Sequence, residues 1–164
     1  MSRFLSLFVF CFLFLPQLAG ATSPTLTGKV LWIYDGDTIK VENIGKVRLI
    51  GIDTPEKEDS ERDRYYLKQG VRRDRLRSIA DEALQFLIKN AKGQHVTLHT
   101  DQEKRDRHGR LLAYVYLPDS RLINQMLLEE GLAAVYRKFE FRLKEDFLVT
   151  ESRARKKQIG LWQE

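Results

Sequence analysis

A mainly β fold with helices, of the α+β class, is predicted for this chain, as a small, highly curved five-stranded barrel with three packed α-helices. Three observations predict it. Three strand-like runs, rich in β-branched and aromatic residues and parted by turn dipeptides, follow one another like a meander. A segment with apolar residues at helical spacing comes next, and two further strand-like runs then precede two helical segments.

The chain has 164 residues, of which 43% are apolar, 31% charged and 10% aromatic. Both charge signs are plentiful, so a disordered tail, a collagen-like fibre and a low-complexity chain are excluded. Residues 1–21 are of a different material from the rest. Arg3 gives a positive start, Phe4 to Leu15 is an almost unbroken apolar run, Pro16 breaks it, and Ala19-Gly20-Ala21 fits a small-x-small cleavage site. The run falls short of the ~20 residues of a spanning helix, and a polar, charged chain follows it. Residues 1–21 are therefore read as a signal peptide cut after Ala21, and residues 22–164 as one domain, secreted or periplasmic, without lasting membrane insertion. The competing reading, an uncleaved anchor, is opposed by Pro16 and the short span. Cleavage removes Cys11, the one cysteine, so no disulfide supports the domain and its core supplies the stability. The 28 Lys and Arg outnumber the 23 Asp and Glu, giving a net charge of +5, which favours polyanionic partners without choosing among them.

The elements follow in order. Gly28 to Tyr34 is a strand that stops at the turn dipeptide Asp35-Gly36, and Thr38 to Glu42 resumes with alternating polarity, a hairpin. Asn43 to Lys46, with Gly45, makes the next turn, and Val47 to Ile52 is a third strand ended by Thr54-Pro55. Glu56 to Arg77 is a long, solvated excursion holding eight basic residues, with Tyr65 and Tyr66 among them. Ile79, Ala83, Phe86, Leu87 and Ala91 mark a helix stopped at Gly93. His95 to Thr100 and Leu111 to Leu117 are strands, joined by the charged loop Asp101 to Arg110. Leu122 to Leu132 and the basic Phe141 to Gln158 are helices. That order suits the OB-fold barrel.

Two acidic clusters lie at strand ends, Asp35-Gly36-Asp37-Thr38 and Asp53-Thr54-Pro55-Glu56. Carboxylate, hydroxyl and carbonyl oxygens without cysteine or paired histidine describe a hard-cation site for Ca²⁺ or Mg²⁺, whereas a lone Asp-Gly-Asp serves equally as a turn. Arg48, Arg107 and Arg110 add guanidinium forks suited to phosphate oxygens. Together these groups describe phosphodiester cleavage.

Asp35-Gly36-Asp37-Thr38, Val47-Arg48-Leu49, Ile52-Asp53-Thr54-Pro55-Glu56, Asp106-Arg107-His108-Gly109-Arg110-Leu111-Leu112-Ala113-Tyr114 and Gly131-Leu132-Ala133, in that order, closely resemble the thermonuclease (staphylococcal nuclease) family, and Gly160-Leu161-Trp162 is also similar. The resemblance implies a five-stranded barrel with three helices and a monomeric, calcium-dependent endonuclease that hydrolyses DNA and RNA to leave 3′-phosphorylated products. It makes Asp37 and Asp53 carboxylate ligands of Ca²⁺, with Thr54 adding its backbone carbonyl. Arg48 and Arg110 would hold the scissile phosphate, and Glu56 would orient or deprotonate the attacking water. Some positions depart from the pattern: His108 stands where known members carry a tyrosine, Arg107 replaces a lysine, the loop after Glu56 is longer and more basic, and Arg137-Lys138 follow Tyr136 where aromatics are expected.

Other features read both ways. His95 and His99 share one strand face and are taken as structural or surface groups. Tyr114 and Tyr116 would stack on bases or sit in the core. The basic loop and Arg153, Arg155, Lys156 and Lys157 would track a nucleic-acid backbone or form a solvated face. Against the enzyme stands a catalytically inactive OB-fold nucleic-acid-binding module, which would be expected to have lost the residues that Asp37, Asp53, Arg48, Glu56 and Arg110 represent. A protein coating anionic membrane is the third alternative, and it leaves the acidic clusters unexplained.

Overall fold

A computed structural model describes residues 25–163, so the predicted signal peptide lies outside the described residues. The strands β1 (Leu26–Ile33), β2 (Thr38–Val41), β3 (Gly45–Leu49), β5 (His95–His99) and β6 (Leu111–Tyr116) close a barrel in the order β1-β2-β3-β6-β5. Val30, Ile33, Ile39, Val41, Val47 and Leu49 alternate into its interior, where they are buried with Val96, Leu98, Ala113 and Val115. The predicted five-stranded barrel is present.

Its pairing is not antiparallel throughout. β3 and β6 run parallel, Val47 opposite Leu111 and Arg48 opposite Leu112, while the other four contacts are antiparallel. A closed ring with an odd number of strands cannot alternate direction at every step, so one pair must be parallel.

The third predicted strand, Val47 to Ile52, is cut in two. It leaves the barrel after Leu49, turns through Ile50-Gly51, and continues as β4 (Ile52–Asp53), antiparallel to β7 (Ala134–Val135). Gly51 has φ of +80°, and a Cβ there would lie 2.6 Å from the Phe141 ring. Only glycine fits both the turn and the contact. Buried Asn124 pins this corner: its amide nitrogen donates to the Ile50 carbonyl at 2.9 Å, and its oxygen accepts the Val115 amide at 3.0 Å.

The three predicted helices are α2 (Arg73–Asn90), α3 (Ile123–Glu129) and α4 (Lys144–Lys156), and a short α1 (Asp63–Leu67) adds a fourth. Leu76, Ile79, Ala83 and Leu87 form the buried stripe of α2. The excursion from Glu56 to Arg77 is only partly solvated. Asp63, Tyr66 and Val71 are buried, and Arg77 donates to the Asp63 carboxylate and, at 2.5 Å, to the Glu56 carbonyl. Charged residues mask this second anchoring point in the sequence. Among the described residues, no helix is long and apolar enough to cross a membrane.

Candidate active site

The parallel pair and the break after Leu49 bring three loops to one end of the outer barrel surface. Asp37 sits in the β1–β2 turn, Arg48 on β3, Asp53 at the end of β4 with Thr54 after it, and Arg110 one residue before β6. Gly36 lets the first loop lie close, because a Cβ there would meet the Thr54 side chain and the Ala83 Cβ, each at 2.7 Å. The Leu49 amide donates to the Asp37 carbonyl at 2.9 Å, tying the turn to β3.

Arg48 lies at the centre. Its Nη1 donates to Asp37 Oδ1, and its Nη2 donates to Asp53 Oδ1 at 2.8 Å and to the Ile52 carbonyl at 3.4 Å. Asp37, Arg48, Asp53 and Thr54 are all buried. The Thr38 hydroxyl donates to Asp37 Oδ1 at 2.9 Å, and the Thr54 amide reaches Asp37 Oδ2 at 3.4 Å. Arg110 Nη1 donates to the same Thr38 hydroxyl at 3.2 Å, so the carboxylate that Arg48 holds directly is reached by Arg110 through a single hydroxyl.

Glu56 stands outside this cluster. Its half-exposed carboxylate pairs with Arg62, which also comes within 3.5 Å of Asp53 Oδ1. Arg62 thus spans the proposed base and a proposed cation ligand, a contact invisible among so many charged neighbours in the sequence. Two further groups escaped sequence reasoning. The buried Tyr66 hydroxyl donates to the Asp53 carbonyl at 2.9 Å, and Asp106 accepts from Arg110 Nε at 2.7 Å and from the Arg110 amide at 3.0 Å. An Asp three residues before Gly109 is a turn signal that could have revealed the second; nothing local marks the first.

The electrostatics show surplus negative charge. Burial, then repulsion from Asp37, pushes the Asp35 carboxyl up to about 6. The same two causes raise Asp53 against the opposing pull of Arg48 and Arg62. Burial alone would lower Arg48, but Asp37 and Asp53 outweigh it and hold the guanidinium above its ordinary value. Asp106 goes the other way: partial burial raises it, yet the Arg110 side-chain and backbone donors leave it below the usual carboxylate range. Asp37, Asp53 and Glu56 pair with Arg48 and Arg62, Asp35 adds its charge beside Asp37, and Arg110 is balanced by Asp106, so carboxylates outnumber guanidinium groups here. A divalent cation would balance that excess. Among the described residues, no three His, Cys, Asp or Glu side chains converge as a ready cage, so backbone carbonyls and water would complete any coordination shell.

Tyr114 belongs to the core, with its hydroxyl on Asp101 at 2.6 Å, and half-buried Tyr116 packs its ring 5.1 Å from that of His99. His95 is exposed. In α4, Arg155 lies over the Trp162 ring at 3.5 Å and donates to Gln69, so part of that basic surface is engaged within the fold.

Residues 46–164 match the family described as staphylococcal nuclease homologue. Arg48, Asp53, Thr54, Glu56 and Arg110 lie within the match and Asp37 ahead of it. An uncharacterized protein of Methanocaldococcus jannaschii is 37% identical over 148 residues, spanning 82% of this chain and 70% of its own length. A thermonuclease of Staphylococcus hyicus is 33% identical over 140 residues, 83% of this chain and 75% of its own. An uncharacterized endonuclease of Escherichia coli is 33% identical over 138 residues, with 82% and 76% covered.

Proposed function

The chain belongs to the staphylococcal nuclease family, and on that premise we propose that it is an exported, calcium-dependent endonuclease that hydrolyses DNA and RNA and leaves 3′-phosphorylated ends. The observation that carries the reading is the convergence of Asp37 and Asp53, from separate loops, on the buried Arg48 guanidinium, with Arg110 one hydroxyl away. A binding module has no need for this costly buried arrangement.

The donor set fits calcium: two carboxylates, the Thr54 backbone carbonyl and water are hard oxygens, and the local charge excess suits a dication. When bound, calcium would supply positive charge to a non-bridging phosphate oxygen. Arg48, whose Nη groups rest on Asp37 and Asp53 here, would turn them, with the donors of Arg110, to the remaining phosphoryl oxygens, where negative charge gathers as water attacks. Arg110 arrives aimed, since Asp106 fixes its Nε. Glu56 accepts the proton of the attacking water. The water oxygen forms the new bond to phosphorus, the bond to the 5′ oxygen breaks, and that oxygen leaves with the electron pair and takes a proton from solvent. The 3′ side keeps the phosphate.

The test is incubation of the domain with single-stranded DNA and RNA in Ca²⁺, Mg²⁺ or chelator, with analysis of the product ends. Calcium-dependent cleavage leaving 3′-phosphates is expected; binding without cleavage under every metal would overturn the enzyme. Export is checked separately by cell fractionation and by the N-terminal sequence of the product, expected to begin at Thr22.

A further inference from the structure

The outer face of the same three strands carries a feature that the catalytic reading leaves unused. Leu31, Trp32 and Tyr34 on and just after β1 are exposed large hydrophobic residues, Trp32 at 54% and Tyr34 at 40%. A core-forming strand has no need of them there. Each aromatic ring carries an ammonium: Lys92 Nζ stands 4.9 Å from the Trp32 ring centroid and Lys46 Nζ 4.6 Å from that of Tyr34.

Register arranges these groups into rows. Trp32 faces Lys40 across β1 and β2, and Lys40 faces Lys46 across β2 and β3. Two residues further along, Thr38 faces Arg48. Side chains two apart share a face, so Lys46 and Arg48 project from the same side of β3, about 7 Å apart along the strand. Tyr34 also lines the cleft of about 550 Å³ beside Asp35, Glu56 and Arg62. The row of Trp32, Lys40 and Lys46 therefore lies one step along the strands from Thr38 and Arg48, and Tyr34, under Lys46, links it to the cleft.

The charge along this path is one-sided. Between Leu26 and Leu49 the acidic residues are Asp35 and Asp37 at the site end and Glu42 beyond the far end of β2. Among the described residues, the lysines paired with carboxylates are Lys57 and Lys144, so Lys40, Lys46 and Lys92 keep their charge for an outside partner. Exposed aromatic rings interleaved with unpaired cations match a polynucleotide whose bases are free to stack and whose phosphates follow at each step.

We propose that Trp32, Tyr34, Lys40, Lys46 and Lys92 form a track that binds single-stranded nucleic acid and feeds it to the active site. The proposal rests on the nuclease reading for what happens at the end of the track and on the surface itself for binding. Duplex bases are already stacked on one another and offer no free face to Trp32, so the track selects single strands.

The experiment measures anisotropy of a fluorescein-labelled oligodeoxythymidylate strand and of a matched duplex, both in chelator so that nothing is cut. Hydrolysis of a small thymidine aryl phosphodiester, which fills only the site, is followed in parallel with calcium. Trp32→Ala is expected to weaken single-strand binding by about 5- to 150-fold, and Trp32→Phe to recover most of it. Lys40→Ala is expected to reduce the slope of log affinity against log salt by about 0.7. Both variants should leave hydrolysis of the small diester unchanged and should melt with the wild type, since both side chains are exposed. Unchanged strand affinity in Trp32→Ala, or an equal loss for the duplex, would overturn the track. Trp32-dependent strand binding by a protein that cuts neither the small diester nor the same strand when calcium is added would uphold the track and overturn the nuclease reading.

Discussion

At the scale of single residues, the site depends on charges that cannot be removed singly without cost. Arg48 holds two buried carboxylates, and Arg48→Ala would leave both without their main partner. Breaking a buried pair this way costs about 3 kcal/mol or more, so urea unfolding at neutral pH should show a loss of that size along with the loss of hydrolysis. The double variant Arg48→Ala/Asp37→Asn should regain part of the stability and none of the activity; a single variant as stable as the wild type would show that the cluster is not strained by unpaired charge. Arg62 is a different case, because it is half-exposed and its ion pair with Glu56 faces water. Arg62→Ala should change unfolding by no more than about 0.5 kcal/mol but lower kcat about tenfold, a loss of about 1.4 kcal/mol of transition-state stabilisation, as Glu56 loses its fixed orientation. A KM change at constant kcat would instead place Arg62 in substrate binding. Asp37, Arg48, Asp53, Thr54, Glu56 and Arg110 were all nameable from short motifs, since each sits beside a turn or strand end. Arg62 and Tyr66 were not, because their partners are 6 and 13 residues away across a highly charged segment.

At the scale of elements, alternation and helical spacing located all five barrel strands and the three longer helices, because each buries a periodic face. Two things were hidden. The break of β3 into β4 leaves an unbroken apolar run, Leu49 to Ile52, whose only flaw is Gly51, and the pairing of β4 with β7 joins segments more than 80 residues apart. The other was α1, whose buried Tyr66 and Asp63 are outnumbered by exposed charges. Gly51→Ala tests the break. Its φ of +80° disfavours any side chain, and the added methyl would meet Phe141 at 2.6 Å. Left-handed strain and overpacking together give about 3 kcal/mol of destabilisation, readable by thermal melting. Because the turn sends Asp53 toward Arg48, calcium binding by titration calorimetry should weaken as well. A stable variant with intact calcium affinity would mean that the turn does not set the position of Asp53.

At the scale of the whole molecule, a domain without disulfides must hold the helical layer on the barrel through its core and a few polar joints. One joint centres on Asp101, after β5, which accepts from the Tyr114 hydroxyl of β6 at 2.6 Å and from the Arg142 amide ahead of α4 at 2.7 Å. Arg142 also lies over the Tyr114 ring at 5.2 Å, so strand, loop and helix entry meet in one knot. Partial burial pushes the Asp101 carboxyl up, but the Tyr114 hydroxyl and the Arg142 and Gln102 amides together hold it below its ordinary value. A depressed carboxylate contributes stability that is fully present above its unfolded value, about 3.9, and that is lost as pH falls through the lower folded value. Burial and the Asp101 hydrogen bond hold the Tyr114 hydroxyl above its ordinary value. Its contribution is present below about pH 10 and is lost as pH rises through the raised folded value. Urea unfolding should therefore show the Asp101 loss at the acid end and the Tyr114 loss at the alkaline end, with a plateau only above about pH 6, once the raised Asp35 carboxyl has also ionised. Asp101→Asn keeps an oxygen for both donors but removes the titrating charge, so its stability should lie below the wild type on the plateau and converge with it in acid. A constant gap at every pH would mean that the Asp101 charge contributes nothing and that its shape alone joins the helices to the barrel.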